Sequence, residues 1–85
     1  MPSIYWLNYP NSETPRLKCQ VRSCEGRWQL EIMDTANHKV QMFAWEENAK
    51  SALREGEGHI VALCCELGLK LPDKPLKWTQ GQESF

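Results

Sequence analysis

The sequence predicts a small α+β fold. It comprises a three-stranded antiparallel β-meander over about residues 17–45, an N-terminal edge strand over about 4–9, and a broken helical segment over about 46–67 packed on the meander. Three observations carry this. The runs Leu17–Cys24, Arg27–Met33 and Lys39–Trp45 alternate apolar and polar residues at the period of a strand. The two connections between them are short and rich in turn formers, and both allow one continuous apolar face. Beyond Glu46 the apolar period lengthens to that of a helix.

Taken in order, Ile4–Tyr9 is rich in aromatic and branched residues, the composition of a strand. Ile4 and Trp6 point one way, and Tyr5, Leu7 and Tyr9 the other, so both faces are apolar. Such a strand is either covered on both sides or paired with a partner chain. Pro10–Pro15 holds two prolines among turn-forming residues and reads as a loop.

In the second run Leu17, Cys19 and Val21 share a face, and in the third Trp28, Leu30 and Ile32 do. These faces coincide when Val21 pairs with Leu30 and Cys19 with Ile32, across a two- or four-residue loop in which Gly26 supplies a positive φ. A slip by one residue would bury Arg22 and Gln20, which pins the register. A five-residue loop, Asp34–His38, then sets Ile32 opposite Val40 and Leu30 opposite Met42.

From Trp45 onwards Ala49, Ala52 and Leu53 recur at helical spacing. Gly56 and Gly58 would together cost about 2 kcal/mol inside one helix relative to alanine, which predicts a break and a second helix over His59–Leu67. Gly68 stops that helix, with Leu69 folding back onto its last turn. Leu69–Trp78 reads as an extended, proline-punctuated arm anchored by Leu71, Leu76 or Trp78, and Thr79–Phe85 as a polar, disordered tail beyond a domain of residues 1–78.

Composition bounds function mainly by exclusion. At 41% hydrophobic and 25% charged the chain of 85 residues has enough apolar content to fold. A net charge of −1 provides no global basic field for nucleic acid. The longest apolar run, Ile60–Cys65, is too short to cross a bilayer, and the N-terminal residues lack the pattern of a secretion signal. A cytoplasmic location without membrane contact is the expectation, with the four cysteines as free thiols.

Chemistry-bearing motifs are sparse. Cys19 and Cys24 lack the spacing of a zinc knuckle, and neither His38 nor His59 has a partner at ligand spacing. No nucleophile motif or phosphate-binding loop occurs, and the paired carboxylates Glu46–Glu47 and Glu55/Glu57 flank a surface helix. A helix-turn-helix over residues 46–68 would place Glu55 and Glu57 at apolar positions and offer a recognition helix with nothing to read bases. The expectation is therefore a protein without catalytic residues, metal or cofactor.

The outward face of the meander is the informative feature. The predicted register displays Lys18, Gln20, Arg22, Arg27, Gln29, Glu31, Met33, Lys39, Gln41, Phe43 and Trp45, a local charge of +3 in a chain of −1. Polar sheet faces are commonly rich in such residues because water covers them, but Phe43 and Trp45 are out of place in water. Aromatic side chains beside arginine have the composition of a protein-interface hot spot. The leading expectation is a non-enzymatic module, of the kind that regulates or inhibits a partner protein, binding through Arg22, Arg27, Gln29, Gln41, Phe43, Trp45, Lys18 and Lys39, with self-association through Ile4–Tyr9 as an accessory mode. The alternative is nucleic-acid binding by the same face, with cations on phosphates, glutamines on adenine edges and aromatic rings on bases.

Overall fold

The computed structural model describes residues 4–10, 12–73 and 76–81, with the backbone alone at Met42 and Phe43. Five strands and one helix follow in the order β1 (Ile4–Tyr9), β2 (Leu17–Cys24), β3 (Arg27–Asp34), β4 (Lys39–Glu46), α1 (Ala49–Leu67) and β5 (Thr79–Gln80). The strands form one antiparallel sheet in the order β4-β3-β2-β1-β5, with α1 packed on one face, so the fold is α+β.

The meander forms because alternation and turn chemistry agree. Val21 pairs with Leu30 and Cys19 with Ile32, as the apolar pattern requires. The β2–β3 loop is two residues, with Glu25 at φ 51° and Gly26 at φ 79°, the left-handed pair that matches the twist of a tight hairpin. Leu17, Cys19, Val21, Leu30 and Ile32 are all buried against α1.

The β3–β4 register differs from the prediction. Ile32 lies opposite Met42 rather than Val40, and Leu30 opposite Ala44 rather than Met42. Two local causes combine. Asp34 pairs with Lys39, so the loop is the four residues Thr35–His38, closed by His38 at φ 51°. The ladder then shifts between Ile32 and Met33, leaving Gln41 as the extra residue of a β-bulge. The bulge turns Val40 to the outer side opposite Met33, where it is 46% exposed, and puts Lys39 on the helix side opposite Asp34. Phe43 and Trp45 keep outward register, opposite Glu31 and Gln29.

The loop geometry has a polar origin that sequence reasoning passed over. The Asp34 carboxylate is fully buried and accepts from Arg16 Nε at 2.7 Å and Nη2 at 3.2 Å, from the Ala36 amide at 3.0 Å and from Asn37 Nδ2 at 3.2 Å. Thr35 adds bonds from its amide and hydroxyl to the Arg16 and Pro15 carbonyls. These bonds hold the Asp34 carboxyl below its ordinary range, the Arg16 hydrogen bonds contributing most, against the opposing effect of burial.

The helical segment is a single helix rather than a broken one. Strand β4 runs on through Glu46, and α1 starts at Ala49 behind the N-cap Asn48, whose side chain accepts from the Ser51 amide at 2.8 Å. Ala52, Gly56, Ile60 and Cys64 form its buried stripe at i, i+4 spacing. Gly56 is tolerated mid-helix because its bare backbone seats Trp78 and Leu30, which a Cβ there would approach to 3.0 and 3.3 Å. The C-terminus ends as predicted, with Gly68 at φ 71° and the Leu69 amide donating to the Cys64 carbonyl at 2.8 Å.

The arm returns along the domain to the sheet. Leu76 and Trp78 pack against the core, whereas Leu71 is exposed; the Tyr9 hydroxyl donates to the Lys70 carbonyl. Thr79 and Gln80 then pair with Trp6 and Tyr5, and the Gly81 amide donates to the Ile4 carbonyl. The expected polar tail thus begins as a short strand; residues 82–85 lie outside those described. Strand β1, expected at an edge, consequently lies between β2 and β5.

Candidate interaction surface

Helix α1 packs on one face of the sheet, and among the described residues no other helix or strand packs on the opposite face. Register assigns that outer face in rows. Asn8, Lys18, Met33 and Val40 form one row; Trp6, Gln20, Glu31 and Phe43 the next; Ile4, Arg22, Gln29 and Trp45 the third. Arg27 closes the face beside the tight hairpin, opposite Cys24.

The eight residues expected to contact a partner are placed unequally. Lys18, Arg22, Arg27, Gln29 and Trp45 come together on the outer face. Trp45 is 44% exposed and borders a shallow recess of about 210 Å³ with Arg27, Glu46 and Glu47. Lys39 does not join them, since the bulge puts it on the helix side, and Gln41 is the exposed bulge residue itself. The side chain of Phe43 lies outside the described atoms. Val40 is the member that sequence reasoning missed; only the bulge, which no residue pattern announces, brings it outward.

The electrostatics of the face are milder than its composition suggests. Arg22 Nε donates to Gln29 Oε1 at 2.8 Å, and Arg22 Nη2 lies 3.7 Å from Glu31 Oε1. Glu31 therefore offsets the Arg22 charge. Gln29 is 8% exposed, with its carbonyl oxygen engaged. Removing Lys39 from the face leaves Lys18 and Arg27 as cations without an ion pair among the described residues.

Away from this face, a cleft of about 620 Å³ at the loop end is lined by Pro15, Arg16, Lys18, Met33 and His38, among others, and there Arg16 is committed to Asp34. Among the described residues no three His, Cys, Asp or Glu side chains come together as a metal site. All four cysteines are free, Cys19 and Cys64 are buried, and burial raises the pKa of both thiols. No helix among the described residues is long and apolar enough to cross a membrane. Comparison with protein-family models, curated proteins and solved structures returns no match.

Proposed function

We propose that the chain is a non-catalytic interaction module that binds a protein partner through the outer sheet face, centred on Trp45 and Arg27. The supporting observation is the exposure of Trp45 beside Arg27, on the sheet face opposite α1. A large amphipathic ring and a guanidinium around a shallow recess suit a hot spot, because the ring offers apolar area at little entropic cost and the cation fixes orientation. Ile4, Trp6, Met33 and Val40 extend the same face with apolar surface, as a protein contact requires.

The face is poorly matched to nucleic acid. Of its cations Arg22 lies near Glu31, and Gln29 is buried with its oxygen occupied, so few groups remain to neutralise phosphates or read base edges. The test is affinity capture with the wild type and with the double variant Trp45→Ala/Arg27→Ala, each checked by far-UV circular dichroism. Capture by the wild type that the folded double variant loses supports the proposal. Retained capture refutes it, and steeply salt-dependent binding to mixed-sequence DNA or RNA would transfer the face to the nucleic-acid reading.

A further inference from the structure

Among the described residues strand β4 is one of the two edges of the sheet, and the longer one. Its one strand neighbour among the described residues is β3, whereas the opposite edge is β5 on β1. Edges in stable monomers are normally blunted by charge, by proline, by very short length or by a bulge, and of these β4 has the bulge at Gln41 and charges only at its two ends. Here eight residues run from Lys39 to Glu46, and the six from Val40 to Trp45 contain neither charge nor proline. Two of the three large hydrophobic residues exposed among those described, Val40 and Trp45, lie on this strand. The charged residues Lys39 and Glu46 sit at its two ends, and neither makes a side-chain hydrogen bond or ion pair among the described residues.

We propose that β4 pairs antiparallel with β4 of a second copy of this chain about a two-fold axis, extending the sheet across both. The bulge sets the register. Strand β3 passes from Met42 to Val40 without a partner for Gln41. A second β4 that skips the same residue places Phe43 at the axis, Met42 opposite the partner's Ala44, Val40 opposite the partner's Trp45 and Lys39 opposite the partner's Glu46. Sides agree at each step, since Val40 and Trp45 are both on the outer side and Lys39 and Glu46 both on the helix side. Two-fold symmetry doubles every pair, giving two ion pairs at the ends and two contacts of a branched aliphatic with an aromatic residue, both favourable across strands. A parallel arrangement would set Lys39 on Lys39 and Glu46 on Glu46, and a one-residue slip would send outer residues to the helix side.

This goes beyond the partner-binding reading, and Lys39→Glu separates the two, because Lys39 lies off the outer face that the capture experiment alters, whereas Glu46 borders the Trp45–Arg27 recess. The test is analytical ultracentrifugation of the full chain up to high micromolar concentration, on the wild type, Lys39→Glu, Glu46→Lys and the combined charge swap. An interface of this small class is a weak one, so dissociation constants on the order of micromolar are expected for the wild type. Each single reversal places like charges opposite each other twice and weakens the dimer roughly tenfold; the swap restores it. Hydrogen exchange supplies the second readout, with protection that rises with protein concentration along β4 and not along β1. A wild type that stays monomeric, folded single variants that dimerise undiminished, or a folded swap that fails to recover overturns the proposal.

Discussion

Gly56→Ala separates two effects that usually act together. In an exposed helix interior, replacing glycine by alanine stabilises by about 1 kcal/mol, because the unfolded chain loses conformational freedom. Gly58 is such a site, since a Cβ there meets nothing within 4 Å. At Gly56 the added Cβ would lie 3.0 Å from Trp78 Cη2, 3.2 Å from Trp78 Cζ2 and 3.3 Å from Leu30 Cδ1. All three are inside the separation of about 3.5–4.0 Å at which carbon atoms attract. Leu30 is fully buried in the sheet and cannot yield, and the indole must move as a rigid plate. Overpacking of this kind costs about 1–3 kcal/mol, which exceeds the propensity gain. Gly58→Ala should therefore raise the melting temperature by about 5 °C and Gly56→Ala lower it by a similar amount, at about 4–8 °C per kcal/mol for a domain of this size. Thermal melts followed by circular dichroism measure both, and the Trp78 indole N–H resonance should move in Gly56→Ala alone. Equal stabilisation by both substitutions, with that resonance unmoved, would refute the packing account.

Asp34→Asn should destabilise by about 2–4 kcal/mol, because the Arg16 fork loses its counter-charge while Asp34 sits in a buried site. Since the Asp34 pKa is lowered from 3.8, the unfolded chain takes up its proton first as pH falls. The stabilisation is thus full above that value and is lost as pH drops through the lower, folded value; acid titration of stability should show this limb in the wild type and not in Asp34→Asn. The cysteines should divide by burial under a thiol reagent: exposed Cys65 reacts first, half-buried Cys24 more slowly, and buried Cys19 and Cys64 only on unfolding, as mass spectrometry of timed samples would show.

Where burial decides the outcome, the sequence was readable. Val21–Leu30 and Cys19–Ile32 follow from alternation together with the short loop at Glu25–Gly26, because a slip by one residue would bury Arg22 and Gln20 on the helix side. Where a polar or backbone detail decides, it was not. The buried Asp34–Arg16 pair joins residues 18 positions apart and looks, in sequence, like ordinary loop polarity. Without it the loop after β3 reads as five residues instead of four, and the bulge at Gln41 cannot be foreseen. That error misplaced Lys39 and Val40 but left Phe43 and Trp45 on the correct side, because the actual and predicted registers differ by an even step beyond the bulge. Gly56 misled for a related reason. Propensity weighs a glycine against the helix it sits in, whereas this one is explained by Trp78, 22 positions away. The spacing of Ala52, Gly56, Ile60 and Cys64, four small or apolar residues on one line, was the signal that a single helix passes close to something large.

The outer face and the β4 edge meet at Trp45, and that meeting constrains how the two proposals combine. In the proposed dimer the partner's Val40 flanks Trp45 from beyond the edge, while Gln29 flanks it from β3. Both neighbours lie beside the ring along the sheet, so neither caps the outward surface above it. Arg27, on the β3 side near the tight hairpin, also stays clear of the dimer axis at Phe43. Edge pairing would therefore hold Trp45 in a narrower set of orientations without hiding it, and a residue already ordered loses less entropy when a partner docks. By linkage, a partner that binds this ordered arrangement more tightly must also strengthen the dimer. An edge strand that is unusually apolar and a sheet face that carries a misplaced tryptophan thus need not be two separate puzzles: the first can prepare the second.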